Sequence, residues 1–409
     1  MDQEQPPQPS KTLHDQAQDH DGDHAPEKWQ ITLHESINEI APEDWGRCAG
    51  GANPMQSHAL LKAMEDSGSA AADQGWMPRH LSLADETGHI HGVMPFYVKS
   101  HSYGEYVFDH SWANAWHRAG GEYYPKGQSA IPFSPVPGQR LLIDSPNPDD
   151  AFSALADGAI RATEAMGLSS LHITFLSSDE TKKLTQLSDR WITRHGLQFH
   201  WHNQGFKGFD DFLGLMASRK RKTIRRERRE VSGLTFHQLT GDDLKPEHWD
   251  QFYQFYLATI DKKWGGAYLT RRFFDQISST MADQILLVMA EDDGVMIAGA
   301  LNFIGQDTLY GRNWGCLDER PFLHFETCYY QAIDFAIARG LKTVEAGAQG
   351  LHKVQRGYEP ALTYSAHVMM HDDFARAIRE FTARESRAIT REAEELRGWS
   401  PYKESSPQE

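Results

Sequence analysis

Positive charge is concentrated in one short stretch of the sequence, SRKRKTIRRERREV at residues 218–231. Eight of its residues are Lys or Arg and two are Glu, whereas the whole chain of 409 residues has a formal charge of −16. Guanidinium groups bind phosphate oxygens through paired N–H donors. The stretch therefore predicts a phosphate-binding helix with Ile224 and Val231 on its inner side, and a solvated helix neutralised by acidic loops is the alternative. The predicted phosphate-binding residues are Arg221, Arg225, Arg226 and Arg229.

A second segment, KTVEAGAQG, combines an acidic residue with a glycine-rich turn. Glu345 is expected within a buried strand, where a carboxylate is costly unless it is paired or functional. Next to it, Gly347 and Gln349 would let a substrate approach the backbone closely. Glu345 is therefore the first candidate for acid–base catalysis. The structural alternative is an ion pair with Arg312 or Lys353.

Side chains suited to substrate binding lie near this segment in the sequence. Tyr310, Arg312 and Trp314 alternate along the strand DTLYGRNWGC and are expected on one face, where a cation beside aromatic rings suits an anionic or planar ligand. His324 begins a helix, and helix N-termini attract anions. Lys353 follows the glycines and would meet a substrate phosphate. The structural alternatives are a packed sheet face, a plain helix start and an exposed cation.

An acid and an imidazole also occur together in the aromatic segment YVFDHSWANAW. Asp109 and His110 are candidate catalytic residues of a pocket lined by tyrosine and tryptophan. The alternative is that both side chains are satisfied within an aromatic core.

Several classes of protein are excluded by the rest of the sequence. The three cysteines form no CxxC pair, and the histidine pairs at 89/91 and 200/202 lack a third ligand, so no metal and no tightly bound cofactor are predicted. No apolar run approaches the roughly 20 residues of a transmembrane helix, and the N-terminus lacks a signal-peptide core. A cytoplasmic protein without a transmembrane segment is predicted. The basic stretch is too short and isolated for a DNA-reading module.

Two similar halves are expected to position these residues. Each runs helix, antiparallel strands, helix and strand, which predicts an α/β (α+β) fold with a mixed, mostly antiparallel sheet flanked by helices in each half. The predicted domains are 27–205 and 206–400, the second including a C-terminal helix. The polar segment 1–26 is predicted to be a disordered tail, and 401–409 a second tail.

Several motifs resemble those of one enzyme family. Arg221, Ile224 and Arg225 on the basic helix, followed by Gly233, are similar to the helix that enters the second half of the Fem peptidyltransferases. Pro321 with HFETCYYQAIDFAI and VEAGAQG resembles their C-terminal proline, aromatic helix and strand. Together with HSYGEYVFDHSWA and GRNWGC, these motifs resemble a bacterial group in the FemAB-like branch of the GNAT acyltransferase superfamily, over residues 53 to about 395.

This resemblance implies two GNAT-like domains in tandem and an N-acyltransferase activity. An acyl or aminoacyl group would move from an activated, phosphate-bearing donor to an amine in a cleft between the halves. The implied co-substrate is aminoacyl-tRNA or acyl-CoA. The implied acceptor is a small-molecule or peptide amine, with a peptidoglycan precursor as the analogous substrate.

The sequence also departs from the family pattern. Glu345 stands where Fem enzymes usually have Asp, and the segment between Ile224 and Gly233 is about two residues longer than theirs. The Gln/Arg-x-x-Gly-x-Gly/Ala loop of acetyl-CoA-binding GNAT proteins is absent, which favours tRNA over CoA as the donor. Two alternatives remain: a CoA-dependent GNAT N-acetyltransferase, and a non-catalytic binding protein that retained the fold.

Overall fold

The computed structural model describes residues 12–14, 28–261, 266–347 and 350–403. Its strands are β1 (Thr12–His14), β2 (Gln30–His34), β3 (Trp76–Pro78), β4 (His80–Ala84), β5 (Ile90–Met94), β6 (Tyr97–Lys99), β7 (Lys126–Ser129), β8 (Leu142–Ile143), β9 (Ser170–Leu176), β10 (Ile192–His202), β11 (Thr235–Leu239), β12 (Ile285–Asp292), β13 (Val295–Ile304), β14 (Thr308–Cys316), β15 (Thr343–Glu345) and β16 (Glu359–Met369).

Its α-helices are α1 (Pro42–Ala49), α2 (His58–Asp66), α3 (His110–Arg118), α4 (Pro148–Ala165), α5 (Ser178–Leu187), α6 (Phe209–Gly214), α7 (Ser218–Glu230), α8 (Pro246–Asp261), α9 (Arg271–Met281), α10 (Leu323–Phe325), α11 (Gln331–Arg339) and α12 (Asp372–Arg397). Between α10 and α11 the helix continues as a π-helical turn, Glu326–Tyr330, which we call the π turn. None of the described helices is both long and apolar enough to cross a membrane.

Two β-sheets carry the fold. The smaller has the strand order β1-β2-β4-β5-β8, and the larger has the order β11-β12-β13-β14-β15-β10-β16-β9-β7-β6-β3. Nearly all neighbours are antiparallel, and the exceptions are β14–β15 and β7–β9. Each parallel pair is joined through a helix, as a parallel crossover requires. The predicted fold class, two similar α/β halves with mostly antiparallel sheets flanked by helices, is confirmed.

The two halves exchange their last strands. Strand β10 follows α5 in the first half, yet it pairs with β15 of the second half, and β16 of the second half pairs with β9 of the first. A hydrophobic core also crosses the boundary, because Trp45 and Leu60 pack in one cluster with Phe252 and Leu287. The boundary near residue 205 stays a prediction. Within the predicted N-terminal tail, Thr12–His14 pairs with β2, and the rest of that tail lies outside the described residues.

A β-bulge changes the direction of the side chains on β14. Leu301 pairs with Asn313 and Asn302 pairs with Gly311, so Arg312 is the extra residue. This residue reverses the alternation of faces. Tyr310 packs in the core shared by the halves, whereas Trp314 packs on the opposite face. The expectation that Tyr310, Arg312 and Trp314 share a face is therefore wrong for Trp314.

Candidate active site

The site is built where two parallel strands of the large sheet separate. Strands β14 and β15 pair from Thr308 and Thr343 only as far as Tyr310 and Glu345. Beyond this point β15 ends in a turn at Gly347, whose φ of 76° favours glycine. We call the place where the two strands separate the opening.

Glu345 lies at this opening and keeps part of its surface exposed. Its neighbours across the strands are Tyr310 on β14 and His200 on β10. Burial raises the pKa of Glu345 to about 8, and the guanidinium groups of Arg312 and Arg140 only partly oppose this shift. A carboxyl group with a pKa near neutrality can both accept and return a proton during catalysis. The prediction that Glu345 lies in a central strand is confirmed, and its catalytic role stays a prediction.

The neighbouring imidazole is neutral. Burial lowers the pKa of His200 to about 4, and its Nε2–H donates to Oε1 of Gln198 at 3.3 Å. Burial also raises the pKa of Tyr310 above its usual value. At neutral pH the charges acting on Glu345 are therefore the two guanidinium groups.

Arg312 and Arg140 are fixed by main-chain carbonyl groups. Arg312 donates to the carbonyl oxygen of Phe133 at 2.6 Å, and Tyr106 also interacts with its side chain. Arg140 is fully buried and donates to the carbonyl oxygen of Val136 at 2.6 Å. Because each guanidinium is held by the first half of the chain, its charge reaches Glu345 from a fixed position.

Strained backbone surrounds the same region. Tyr106, Phe133 and Phe175 have φ values of 59°, 55° and 58°, which bulky residues rarely adopt. Phe133 holds Arg312, while Tyr106 and Phe175 line a cavity of about 230 Å³ between the halves. Strain of this kind is stored at binding and catalytic sites when the surroundings enforce it. The cavity has mixed chemistry, and its polar lining residues include Arg194, Gln198, Thr363, Ser365 and Glu385.

A smaller cavity of about 90 Å³ lies at the opening on the other side of the sheet. Trp314 and His324 line it with ring centroids 5.1 Å apart, and Tyr329 adds a hydroxyl that hydrogen-bonds Nε2 of His352 at 2.9 Å. We call this space the small cavity. Its remaining lining residues are Ala300, Leu301, Asn302, Gly311, Arg312, Asn313, Cys328 and Ala346.

Lys353 is buried beside the turn that follows β15, and its substrate-binding role stays a prediction. It is only 1% exposed, and its ammonium donates to the carbonyl oxygens of Ala346 and Gly347 at 2.6 and 3.0 Å. Burial lowers its pKa to about 8. Lys353 therefore holds the turn after β15, which corrects the alternative of an exposed surface cation. Gln349 lies outside the described residues.

Helix α7 confirms the helix predicted from the basic stretch. Ile224 is 1% and Val231 4% exposed on its inner side, while four exposed cations form no ion pair with any described residue. These four cations line a shallow groove on the surface of α7. Arg225 lines the groove as well, but it pairs with Asp210 at 2.8 Å. Arg221 is partly buried and lies outside the groove. The four unpaired cations are Arg219, Lys222, Arg226 and Arg229.

Asp109 belongs to a buried ionic cluster in the first half. It is 2% exposed, pairs with Lys126 and accepts a hydrogen bond from the Tyr123 hydroxyl at 2.7 Å. Burial would raise the pKa of Asp109, but the Lys126 ammonium holds it well below the usual range. Glu105 also pairs with Lys126 at 2.7 Å. His110 is exposed at the start of α3. These contacts favour the structural alternative for Asp109 and do not bring either residue to Glu345.

The sequence did not predict that four residues lie near Glu345 or near the arginine side chains beside it. Arg140 stands directly before the apolar run LLI, and a charged residue so placed is a signal of a buried ion. His200 lies beside Glu345 because strand β10 pairs with β15. Tyr106 and Phe133 reach Arg312 from positions where their backbone is strained. Neither feature has a local sequence signal.

Comparisons with known proteins agree with the fold. A family model called FemAB-like, described as peptidoglycan biosynthesis/recognition, matches residues 36–404. The crystal structure of FemX superimposes with a TM-score of 0.51 at 13% identity and covers 85% of this chain and 99% of its own. A protein of unknown function from Bacteroides thetaiotaomicron gives a TM-score of 0.50 at 11% identity, with coverages of 83% and 99%.

A third structure is the C-terminal domain of a protein assigned as a lysylphosphatidylglycerol synthetase from Agrobacterium fabrum. Its TM-score is 0.52 at 11% identity, and the match covers 83% of this chain and 95% of that domain. At these identities the likeness concerns the fold. No curated protein matches the chain in sequence.

Proposed function

Because the chain belongs to the FemAB-like family, we propose that it is an N-acyltransferase that moves an aminoacyl group from tRNA to an amine of a peptidoglycan precursor. One observation supports this reaction above the others. Glu345, with its raised pKa, stands at the opening between β14 and β15 and on the face of the sheet that carries Gln198 of the larger cavity. Its neighbour Ala346 lines the small cavity, which we propose to hold the acyl group and call the acyl cavity. An acid–base group at such a junction can serve a transfer between two ligands.

The proposed chemistry begins with the acceptor amine. The Glu345 carboxylate takes a proton from the ammonium group, and the free amine nitrogen attacks the carbonyl carbon of the aminoacyl ester. A C–N bond forms and the carbonyl becomes an oxyanion, which the Arg312 guanidinium and the main-chain N–H groups of the bulge would stabilise. The C–O bond to the ribose then breaks, and the leaving oxygen receives the proton from Glu345. The remaining extra proton of the nitrogen passes to solvent as the tetrahedral intermediate collapses, so that ammonium and ester give an amide, a ribose hydroxyl and one released proton.

The donor would dock on α7. Its unpaired cations extend from Arg219 to Arg229, which is about 15 Å along a helix. An array of this length matches several successive phosphates of a nucleic-acid backbone better than one pyrophosphate group. The surrounding protein is acidic, so the array would also direct where a polyanion approaches.

The acceptor would occupy the larger cavity between the halves. Gln198 belongs to its lining and hydrogen-bonds His200, the cross-strand neighbour of Glu345. Polar groups and the aromatic rings of Tyr106 and Tyr364 suit a ligand with both peptide and sugar character.

The test is transfer of label from bulk radiolabelled aminoacyl-tRNA to a mixture of peptidoglycan precursors. Wild type should form an acid- and base-stable amide product, and Glu345→Gln should not. Glu122→Gln is the matched control, because Glu122 is exposed and belongs neither to α7 nor to the lining of either cavity. Labelled acetyl-CoA is supplied in parallel as the rival donor. Transfer from acetyl-CoA alone, or no transfer from either donor, would overturn the proposal.

A further inference from the structure

The inner face of α7 carries two charged residues with partners on the π turn, two other residues of which line the acyl cavity. Glu227 is 4% exposed and pairs with Arg356 at 2.8 Å, and it also accepts a hydrogen bond from the Tyr330 hydroxyl. Arg228 donates to both carboxylate oxygens of Glu326, at 3.1 and 2.9 Å. Partners of both residues therefore lie on the π turn.

The π turn has different neighbours on its two sides. Glu326 and Tyr330, its first and last residues, contact α7, whereas Cys328 and Tyr329 line the acyl cavity. A π-helical turn is rare and occurs mostly at functional sites. Its shape is less stable than a plain α-helix, so surrounding contacts must select it. The two charged residues of α7 supply such contacts.

Arg356 provides a second connection between Glu227 and the acyl cavity, through His352 and Tyr329. Its guanidinium lies 3.4 Å from the centroid of the Phe325 ring and donates to the carbonyl oxygen of His352 at 2.8 Å. The His352 ring in turn hydrogen-bonds Tyr329. Glu227 therefore fixes Arg356, and Arg356 hydrogen-bonds the main chain of His352. The ring of His352 contacts Tyr329, which lines the acyl cavity.

We propose that Glu227 and Arg228 are positioning residues that hold the π turn, so that donor docking on the outer face of α7 is coupled to the shape of the acyl cavity. The coupling to a donor rests on the proposed function. The stabilisation of the π turn by Glu227 and Arg228, which we call the bracing, does not. The same helix therefore has two separate sets of charges. The outer cations bind phosphates, and the inner pair sets the geometry in which the acyl group is presented.

The first test is hydrogen exchange of the full chain without ligand, followed by mass spectrometry. Glu227→Gln should raise exchange in residues 323–331 about tenfold, because one anchor of the turn is lost, and should leave residues 285–304 unchanged. Glu230→Gln, the same substitution on the exposed side of α7, should change neither segment. Unchanged exchange in residues 323–331, or an equal rise throughout the chain, would overturn the bracing.

The second test has two parts: hydrogen exchange in the presence of deacylated bulk tRNA, and steady-state transfer from aminoacyl-tRNA. In wild type, tRNA should slow exchange both in α7 and in residues 323–331. In Glu227→Gln the protection of α7 should remain and that of residues 323–331 should disappear. The kcat should fall by about tenfold or more with little change in the KM for the donor. Equal protection and kcat in variant and wild type would refute the coupling.

Two further results separate this inference from the proposed function. If tRNA protects neither segment of wild type and no transfer occurs, the proposed function fails, and the ligand-free comparison still decides the bracing. If Glu227→Gln does not fold because Arg356 is left buried without its carboxylate, the double variant Glu227→Met/Arg356→Met removes both charges and is expected to show the same loss of kcat.

Discussion

At the scale of single residues, Glu345 should determine how activity depends on pH. A general base must be ionised, and burial raises the pKa of this carboxyl to about 8. We therefore expect kcat/KM to rise as the pH increases through about 8 and to level off above it. Glu345→Gln should lower the rate by about 10²- to 10⁴-fold and remove this rise. Single-turnover transfer assays from pH 6 to pH 9 measure both effects. A rise that survives in the variant would assign the base to another group.

Glu345 should also make the stability of the fold depend on pH, and this contribution should fall as the pH rises. A carboxyl whose pKa is raised from 4.5 to about 8 in the folded state stabilises the fold at low pH, and this contribution is lost as the pH rises towards 8. Glu345→Gln should therefore be more stable than wild type at pH 8.5 by about 1–3 kcal/mol, with a smaller difference at pH 5.5. Urea unfolding at the two pH values tests this expectation. Glu230→Gln should show no such dependence.

Asp109 should behave as a structural residue. Asp109→Asn leaves the buried Lys126 ammonium with Glu105 as its only carboxylate, and breaking a buried ion pair costs about 3–5 kcal/mol. The free energy of unfolding should fall by that amount, while kcat of the protein that remains folded should stay within about threefold of wild type. A large loss of kcat with unchanged stability would instead support the catalytic role considered from the sequence.

At the scale of elements, the outer face of α7 should determine the salt dependence of tRNA binding. Each Lys or Arg that neutralises a phosphate adds roughly 0.7–0.9 to the slope of log K against log salt concentration. Replacing all four unpaired cations by Gln should therefore reduce that slope by about 3 and weaken binding at low salt. The replaced residues would be Arg219, Lys222, Arg226 and Arg229.

The control for this prediction has the same change in net charge. It replaces four exposed cations scattered over the surface by Gln, and filter binding at several salt concentrations compares the two variants. An equal fall in slope would mean that net charge, and not the α7 groove, governs binding. The control residues are Arg118, Lys182, Arg272 and Arg339.

Elements also show what the sequence could and could not predict. Helix α7 was predictable because its cations and Ile224 repeat at helical spacing within 13 residues. The direction of Trp314 was not, because it depends on one bulge whose position is set by pairing with β13. The burial of Lys353 also escaped prediction, since its two acceptors are main-chain carbonyl groups of a turn. Residue spacing within one helix or strand predicted that element correctly, whereas no nearby residues in the sequence indicated the contacts between elements.

At the scale of the whole molecule, the exchanged strands place the candidate site between the halves. Glu345 belongs to the second half, but its neighbour His200 comes from β10, and Arg140 comes from the first half. The fold class was therefore predicted correctly, whereas the site draws on residues of both halves. Such non-local pairing follows from the complete fold, which explains why Arg140 and His200 were missed.

This arrangement predicts that neither half folds alone. A fragment of residues 28–205 would expose both edges of β10, and a fragment of residues 206–403 would leave β15 and β16 without the strand between them. Unpaired edges and an open core of Trp45, Leu60 and Phe252 should prevent a cooperative transition in either fragment. Mixing equal amounts should restore a heat-induced transition seen by circular dichroism, together with transferase activity. Cooperative unfolding of each isolated fragment would show that the exchanged strands are dispensable, and the site would then have to be sought within one half.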